Sequence, residues 1–222
     1  MHIGIVNGGY TDIAFAFEYL KSLDCGWWIG VDSGLRAMKK LGIIPNLAVG
    51  DFDSVDEETL AYFRSIRFID WEEYPAEKDE TDIELAVRRA VAMGPERITV
   101  LGGTGTRIDH TCGALKTMKI ALDAGIDMEI VDPWQRMYLI RGEHMLRREA
   151  LFGPYISFLP FGGPAAGVTL EGFRYGLEDA DLDFWPTLTV SNEPAADVMH
   201  VRVRDGVLLC VEASDERRGT AE

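Results

Sequence analysis

Short apolar runs alternate with segments of helical period from the first residues as far as Val131, and most of the runs stop at glycines or carboxylates. The runs are 3–7, 27–31, 47–49, 67–69, 98–101 and 128–131. Between them the spacing of apolar residues predicts helices over 12–22 behind Thr11 as cap, 35–41 closing at Gly42, 56–64, 81–93 and 109–124. In 81–93, Thr81-x-x-Glu84 reads as a capping box, and Ile83, Ala86, Val87, Ala90 and Val91 form the buried stripe. Parallel neighbours can be joined only by a crossover, so repeated βα units require a parallel sheet with helices on both faces. This predicts a three-layer αβα domain over residues 1–140.

Beyond residue 140 the pattern changes. Pro154, Pro160, Gly162, Gly163, Pro164, Gly167 and Gly172 interrupt short runs at 155–159, 168–170, 188–190, 200–203 and 207–211. Strands at that spacing with turn signals between them predict an all-β sandwich or barrel over 141–213. The charged residues 214–222 read as a disordered tail.

Composition narrows the function. A formal net charge of −15 argues against nucleic acid, whose phosphates such a chain would repel. No window approaches the ~18 apolar residues of a membrane span, and the chain starts as a strand rather than a signal peptide. Three widely spaced cysteines give no disulfide framework and point to a reducing cytoplasm. An acidic protein that handles phosphates needs local cations, which makes individual lysines and arginines informative.

In open parallel sheets, ligands bind beyond the C-terminal ends of the strands. Here those ends lead into Asn7-Gly8-Gly9, Asp32-Ser33-Gly34, the stretch 50–54 (Gly-Asp-Phe-Asp-Ser), Lys78-Asp79-Glu80-Thr81-Asp82, and the loop 102–110 that carries Arg107, Asp109 and His110. Asp51 and Asp53, one residue apart, repel each other unless a cation lies between them. Hard oxygen ligands suit Mg²⁺, which is commonly held by one or two carboxylates plus substrate phosphates. Each piece has a plainer reading: a simple turn at Asn7, a helix cap at Asp32, a dipole-favoured acid at Asp82, surface residues at Arg107 and His110. The glycines at 102–105 are only a weak phosphate-loop signal, without a Walker lysine. All the plain readings would have to hold together at one rim.

In order and spacing, Asp32-Ser-Gly, Pro45-Asn-x-x-x-Gly-Asp-Phe-Asp-Ser54, Lys78-Asp-x-Thr-Asp82, Gly105-x-Arg-x-Asp-His110 and Ser191-Asn192 resemble the thiamine pyrophosphokinase family over about residues 1–212. The resemblance implies transfer of the pyrophosphoryl group of ATP to thiamine, giving thiamine diphosphate and AMP. It also implies a homodimer with active sites at the interface. It implies that Asp51, Asp53 and Asp82 hold Mg²⁺ with Asp32 assisting, and that Lys78, Asp79, Thr81, Arg107, Asp109 and His110 serve ATP. Thr189, Ser191 and Asn192 would face thiamine, with Thr189 and Ser191 on one strand face. Trp134 and Trp185 are candidates for the aromatic against the vitamin. Phe173, Tyr175, Phe184 and Trp185 are candidates for an apolar interface. Thr106 and Ala114 depart from the commonest residues, Gly and Asn, at their positions.

Two other readings exist. Asp51-Phe-Asp-Ser-Val also resembles the motif of haloacid-dehalogenase-like phosphatases, whose first Asp is a nucleophile. That motif normally ends the first strand, whereas here it ends the third, and those enzymes lack a counterpart of the Arg107–His110 loop. A non-catalytic thiamine or nucleotide sensor would be missing a metal carboxylate, and all of them are present.

Overall fold

The structure, a computed structural model, describes residues 1–105 and 107–218. It divides into two compact units, Met1–Pro133 (joined by Arg218) and Trp134–Arg217. The expected division after residue 140 therefore falls inside a strand.

In the first unit, β1 (His2–Val6), β2 (Trp27–Val31), β3 (Leu47–Gly50), β4 (Asp70–Glu73), β5 (Arg97–Leu101) and β6 (Asp127–Val131) are all parallel. Their order is β6-β5-β1-β2-β3-β4. Ile3, Ile5, Ile29, Val49, Ile98 and Val100 are fully buried, as expected where helices cover both faces of a sheet. The connecting helices are α1 (Ile13–Leu20), α2 (Gly34–Leu41), α3 (Glu57–Arg64), α4 (Asp82–Ala92) and α5 (Ile108–Asp123). The chain steps outward from β1 to β4, then crosses back to lay β5 on the other side of β1. With right-handed crossovers this reversal puts α1, α2 and α3 on one face and α4 and α5 on the other; within each set neighbouring helices pack together. It also creates a topological switch point between β1 and β5, where a crevice opens beyond the strand ends.

Some local details differ from the sequence reading. The cap of α1 is Asp12, not Thr11: Asp12 Oδ1 accepts from the Phe15 N–H at 2.9 Å. Thr81 makes no side-chain cap bond, and Glu84 accepts instead from Arg88 at 2.7 Å, so the capping box does not form. The fourth strand is Asp70–Glu73 rather than 67–69. It lies at a sheet edge, where charged residues blunt further pairing, and its acids masked it as a strand. Among the described residues no helix is long and apolar enough to cross a membrane.

The second unit is antiparallel: β7 (Gln135–Arg147), β8 (Tyr155–Pro160), β9 (Ala165–Glu171), β10 (Leu177–Leu182) and β11 (Val198–Ala213). The first half of β11 pairs with β9 and its second half with β8, while β7 runs along both halves. A register shift between Val203 and Leu208 spans Gly206, whose φ is 93°, so the runs expected at 200–203 and 207–211 are one interrupted strand. The strands enclose a core that includes Ile156, Phe158, Val168, Met199, Val201 and Leu208. β10 reads Leu-Glu-Asp-Ala-Asp-Leu, and its acids, disfavoured in strands, hid it from the sequence. The expected strand 188–190 is a turn in which the Val190 N–H donates to the Thr187 carbonyl at 3.2 Å. Part of the expected tail 214–222 lies outside the described residues. In its described part, the Ser214 N–H is bound to the Trp134 carbonyl at 2.9 Å.

Candidate active site

The loops after β1 and β5 are stitched together at the switch point. The Asn7, Gly9 and Tyr10 N–H groups donate to the carbonyls of Leu101, Gly102 and Thr104 at 2.9, 3.0 and 2.8 Å. A Cβ at Gly9 would lie 2.3 Å from the Thr104 oxygen and 2.4 Å from that of Gly102, so the two backbones can approach this closely only with glycine there. The Thr104 hydroxyl donates to Oδ2 of Asp132 at 2.9 Å, and Asp132 is buried. No motif marks Asp132; its one signal in the sequence is a carboxylate directly after the β6 run. Thr11 Oγ1 is buried beside this loop pair without a hydrogen-bond partner among the described residues.

The carboxylates come from β2 and β3. Asp32 follows β2 at φ 46°, with its N–H bound to the Val49 carbonyl at 3.0 Å. Its side chain does not cap α2. Oδ2 accepts from the Ser54 hydroxyl at 2.6 Å, and Oδ1 is buried with no hydrogen-bond partner among the described residues. After β3, Phe52 adopts φ 60° and is buried against Trp71, ring centroids 5.0 Å apart. The Asp53 N–H then turns back to Asp51 Oδ1 at 3.1 Å. Asp32, Asp51 and Asp53 each place a carboxylate oxygen within 4.8 Å of the others. The Asp51 charge is the main cause that pushes the Asp53 carboxyl above its usual range, and Asp32 and Asp82 add to it. Positive φ is held at Asp32, one of the three mutually repelling acids, and at Phe52, between the other two; strain of this kind collects at functional sites. An all-oxygen donor set with one buried, unpartnered oxygen fits a hard divalent cation.

The observed cluster differs from the expected ligand set in one member. Its third carboxylate is Asp32, while Asp82 lies outside it. Asp82 Oδ1 faces Lys78 Nζ at 3.0 Å, and that lysine also donates to the Pro75 carbonyl at 3.1 Å. Asp79 and Thr81 are exposed on the same loop. Arg107 and Asp109 engage each other at 2.6 Å; the guanidinium holds the Asp109 carboxyl below its usual range. His110 is exposed in the first turn of α5.

In the second unit the expected vitamin-facing set separates. Thr189 is buried and its hydroxyl donates to the Phe158 carbonyl. Asn192 is buried too, accepting from the Tyr175 N–H at 3.0 Å and donating to the Tyr175 carbonyl at 2.8 Å. Ser191 is exposed at φ 58°. Because a turn replaces the strand, Thr189 and Ser191 do not share a face, and Asn192 braces the chain at Tyr175. Tyr175, Phe184 and Trp185 are exposed, but Phe173 is buried with its ring 5.2 Å from that of Phe158 and offers no surface. Trp134 is partly exposed, at 39%.

Comparison with known proteins places both parts of the chain in one family. The pattern described as "Thiamin pyrophosphokinase, catalytic domain" matches residues 16–130, and "Thiamin pyrophosphokinase, vitamin B1 binding domain" matches 143–208. A thiamine pyrophosphokinase of Bacillus subtilis is 32% identical over 189 residues, covering 85% of this chain and 87% of that protein. The crystal structure of a thiamin pyrophosphokinase from Geobacillus thermodenitrificans is similar with TM-score 0.84 and 30% identity, over 97% of this chain and 99% of the other. The yeast enzyme, at 14% identity and TM-score 0.76 over 98% of this chain and 88% of its own, shares the fold. With its carboxylate cluster beside a glycine-lined switch point and both family patterns matched in sequence, the chain belongs to the thiamine pyrophosphokinase family.

Proposed function

We infer that this chain is an enzyme that transfers the pyrophosphoryl group of ATP to the hydroxyethyl oxygen of thiamine, giving thiamine diphosphate and AMP, and that it uses Mg²⁺. The observation that carries the chemistry is the trio Asp32, Asp51 and Asp53, gathered within 4.8 Å at the end of the parallel sheet. Pyrophosphoryl transfer concentrates negative charge on phosphate oxygens, so catalysis is chiefly positioning and electrostatic stabilisation.

A divalent cation, when bound, neutralises phosphate charge and polarises the reacting phosphorus. Asp32, Asp51 and Asp53 would hold it, and the unpartnered Asp32 Oδ1 supplies a donor at no cost in lost protein hydrogen bonds. Asp82 adds negative charge nearby and keeps Lys78 in place. Lys78 and Arg107 offset the charge of the triphosphate, Arg107 through its planar fork. Asp109 holds that fork in one orientation until the nucleotide takes it over. Asp79, Thr81 and His110 lie on the same two loops and complete the nucleotide side.

Thiamine recognition falls to the second unit. Its exposed Ser191 is presented by a turn that Thr189 and Asn192 anchor. The exposed Tyr175, Phe184 and Trp185 support a homodimer in which each active site draws on both copies. Free thiols at Cys25, Cys112 and Cys210 support a cytoplasmic setting. The test is to incubate the protein with ATP, Mg²⁺ and thiamine and identify the products. AMP with thiamine diphosphate is expected; inorganic phosphate would mean a phosphatase, and no turnover a sensor.

A further inference from the structure

The stretch that carries Asp51 and Asp53 is pinned at both ends and in the middle. At its entry, the Gly50 carbonyl accepts from the Tyr74 N–H at 3.1 Å. In the middle, Phe52 is buried against Trp71. The exit is held by a residue outside every motif, Arg36 on α2. Its Nε donates to Asp56 Oδ2 at 3.0 Å, and its Nη2 donates to the Ser54 carbonyl. Asp56 in turn caps α3, with Oδ1 accepting from the Thr59 N–H at 2.9 Å. One guanidinium thus ties together α2, the start of α3 and the last residue of the carboxylate loop. The Ser54 hydroxyl then donates to Asp32 Oδ2, so the chain of contacts runs from Arg36 to a member of the trio.

We propose that Arg36 is a positioning residue for the cation site. It fixes the Ser54 backbone, Ser54 fixes Asp32 Oδ2, and Asp32 Oδ1 is thereby kept available as a ligand. The inference rests on the reading of the trio as a divalent-cation site. The Arg36–Asp56 pair is about half exposed on both sides. Such a pair adds little to global stability, so the function of the fork lies in geometry. Guanidinium geometry matters because its two donors point in fixed directions toward two acceptors on different segments, which an ammonium cannot reproduce. Partners that orient metal-ligating carboxylates commonly affect metal affinity as strongly as this role requires.

The test uses Mn²⁺ alone as probe, with free Mn²⁺ measured by electron paramagnetic resonance in titrations of the full-length, nucleotide-free protein. Arg36→Met and Ser54→Ala are each expected to weaken Mn²⁺ binding roughly tenfold, with Arg36→Lys intermediate and the melting temperature little changed. Because both residues act along one path, the double variant should bind no more weakly than Ser54→Ala. The divalent-ion concentration for half-maximal rate should rise in parallel while KM for thiamine stays constant. Wild-type Mn²⁺ affinity in Arg36→Met overturns the proposal, as does a double variant whose loss is the product of the two single losses. Asp51→Asn is the control: if it leaves Mn²⁺ binding intact, the cation-site reading itself fails, and the positioning role with it.

Discussion

The Ser54 hydroxyl donates to Oδ2 of Asp32 at 2.6 Å across 22 residues of sequence. This bond joins the loop that leaves β2 to the loop that leaves β3, and those strands are parallel neighbours in register from Ile29 and Leu47 onward. The register brings the two strand ends level, and the serine converts that nearness into a fixed carboxylate. The site is therefore a property of adjacent strands rather than of one motif.

Replacing Asp51 or Asp53 with Asn should abolish turnover without unfolding the protein. The amide keeps the volume and removes a charge that now repels its neighbours. Thermal melts of the metal-free variants are expected to match or exceed the wild type. A variant that retained more than about a tenth of the wild-type rate, ~1.4 kcal/mol in the barrier, would remove that carboxylate from the site.

Arg107→Lys should weaken ATP binding in direct titrations while leaving thiamine affinity unchanged. Lysine preserves the charge but loses the fork now occupied by Asp109. Equal ATP affinity and rate in the variant would return Arg107 to a surface role.

His2 provides a pH test away from the site. Its ring is bonded to Thr99 Oγ1 at 2.9 Å, and burial is the main cause that lowers its pKa below 6.5, with Arg97 adding. The folded state then prefers the neutral ring. Its contribution is fully present above pH 6.5 and is lost as pH falls through the lowered folded value. In urea unfolding, the stability of wild type relative to His2→Gln should be flat above neutrality and decline on acidification. A difference that stayed constant or grew toward acid would contradict the burial argument.

Asp12→Ala should destabilise the first unit by about 1–2 kcal/mol. The buried carboxylate caps α1 at Phe15 and also accepts from the Tyr10 hydroxyl at 3.2 Å. Denaturant unfolding measures the loss. Thr11→Ala, the cap read from sequence, should cost less than Asp12→Ala, since α1 takes no cap bond from Thr11.

If the proposed homodimer shares its sites between copies, mixing Asp53→Asn with Asn192→Asp subunits, after dissociation and reassociation, should restore activity to about half of normal in each hybrid dimer. Asn192→Asp keeps the side-chain volume but replaces the donor that faces the Tyr175 carbonyl. Activity measured across mixing ratios checks this. If no mixture recovers activity, each copy builds its own site.

The alternation of strand and helix, the parallel sheet, and the position of Asp51 and Asp53 directly after a strand are all legible in the residue pattern. These follow from periodicity and from residue chemistry over a few neighbouring positions, which is information local to the chain. It also carried the family motifs, and with them the activity. Which carboxylate joins Asp51 and Asp53 was decided only in three dimensions, by β2–β3 register and the positive φ at Asp32. Asp132 became visible as a support for Thr104 only once β5 and β6 were paired. Only the folded chain shows that Thr189, Asn192 and Phe173 are buried: a turn replaces the strand expected at 188–190, and the Phe173 ring packs 5.2 Å from that of Phe158. Arg36 belongs to no motif at all. Its two acceptors lie 18 and 20 residues away in sequence, and only packing of α2 beside α3 brings them within reach of one guanidinium.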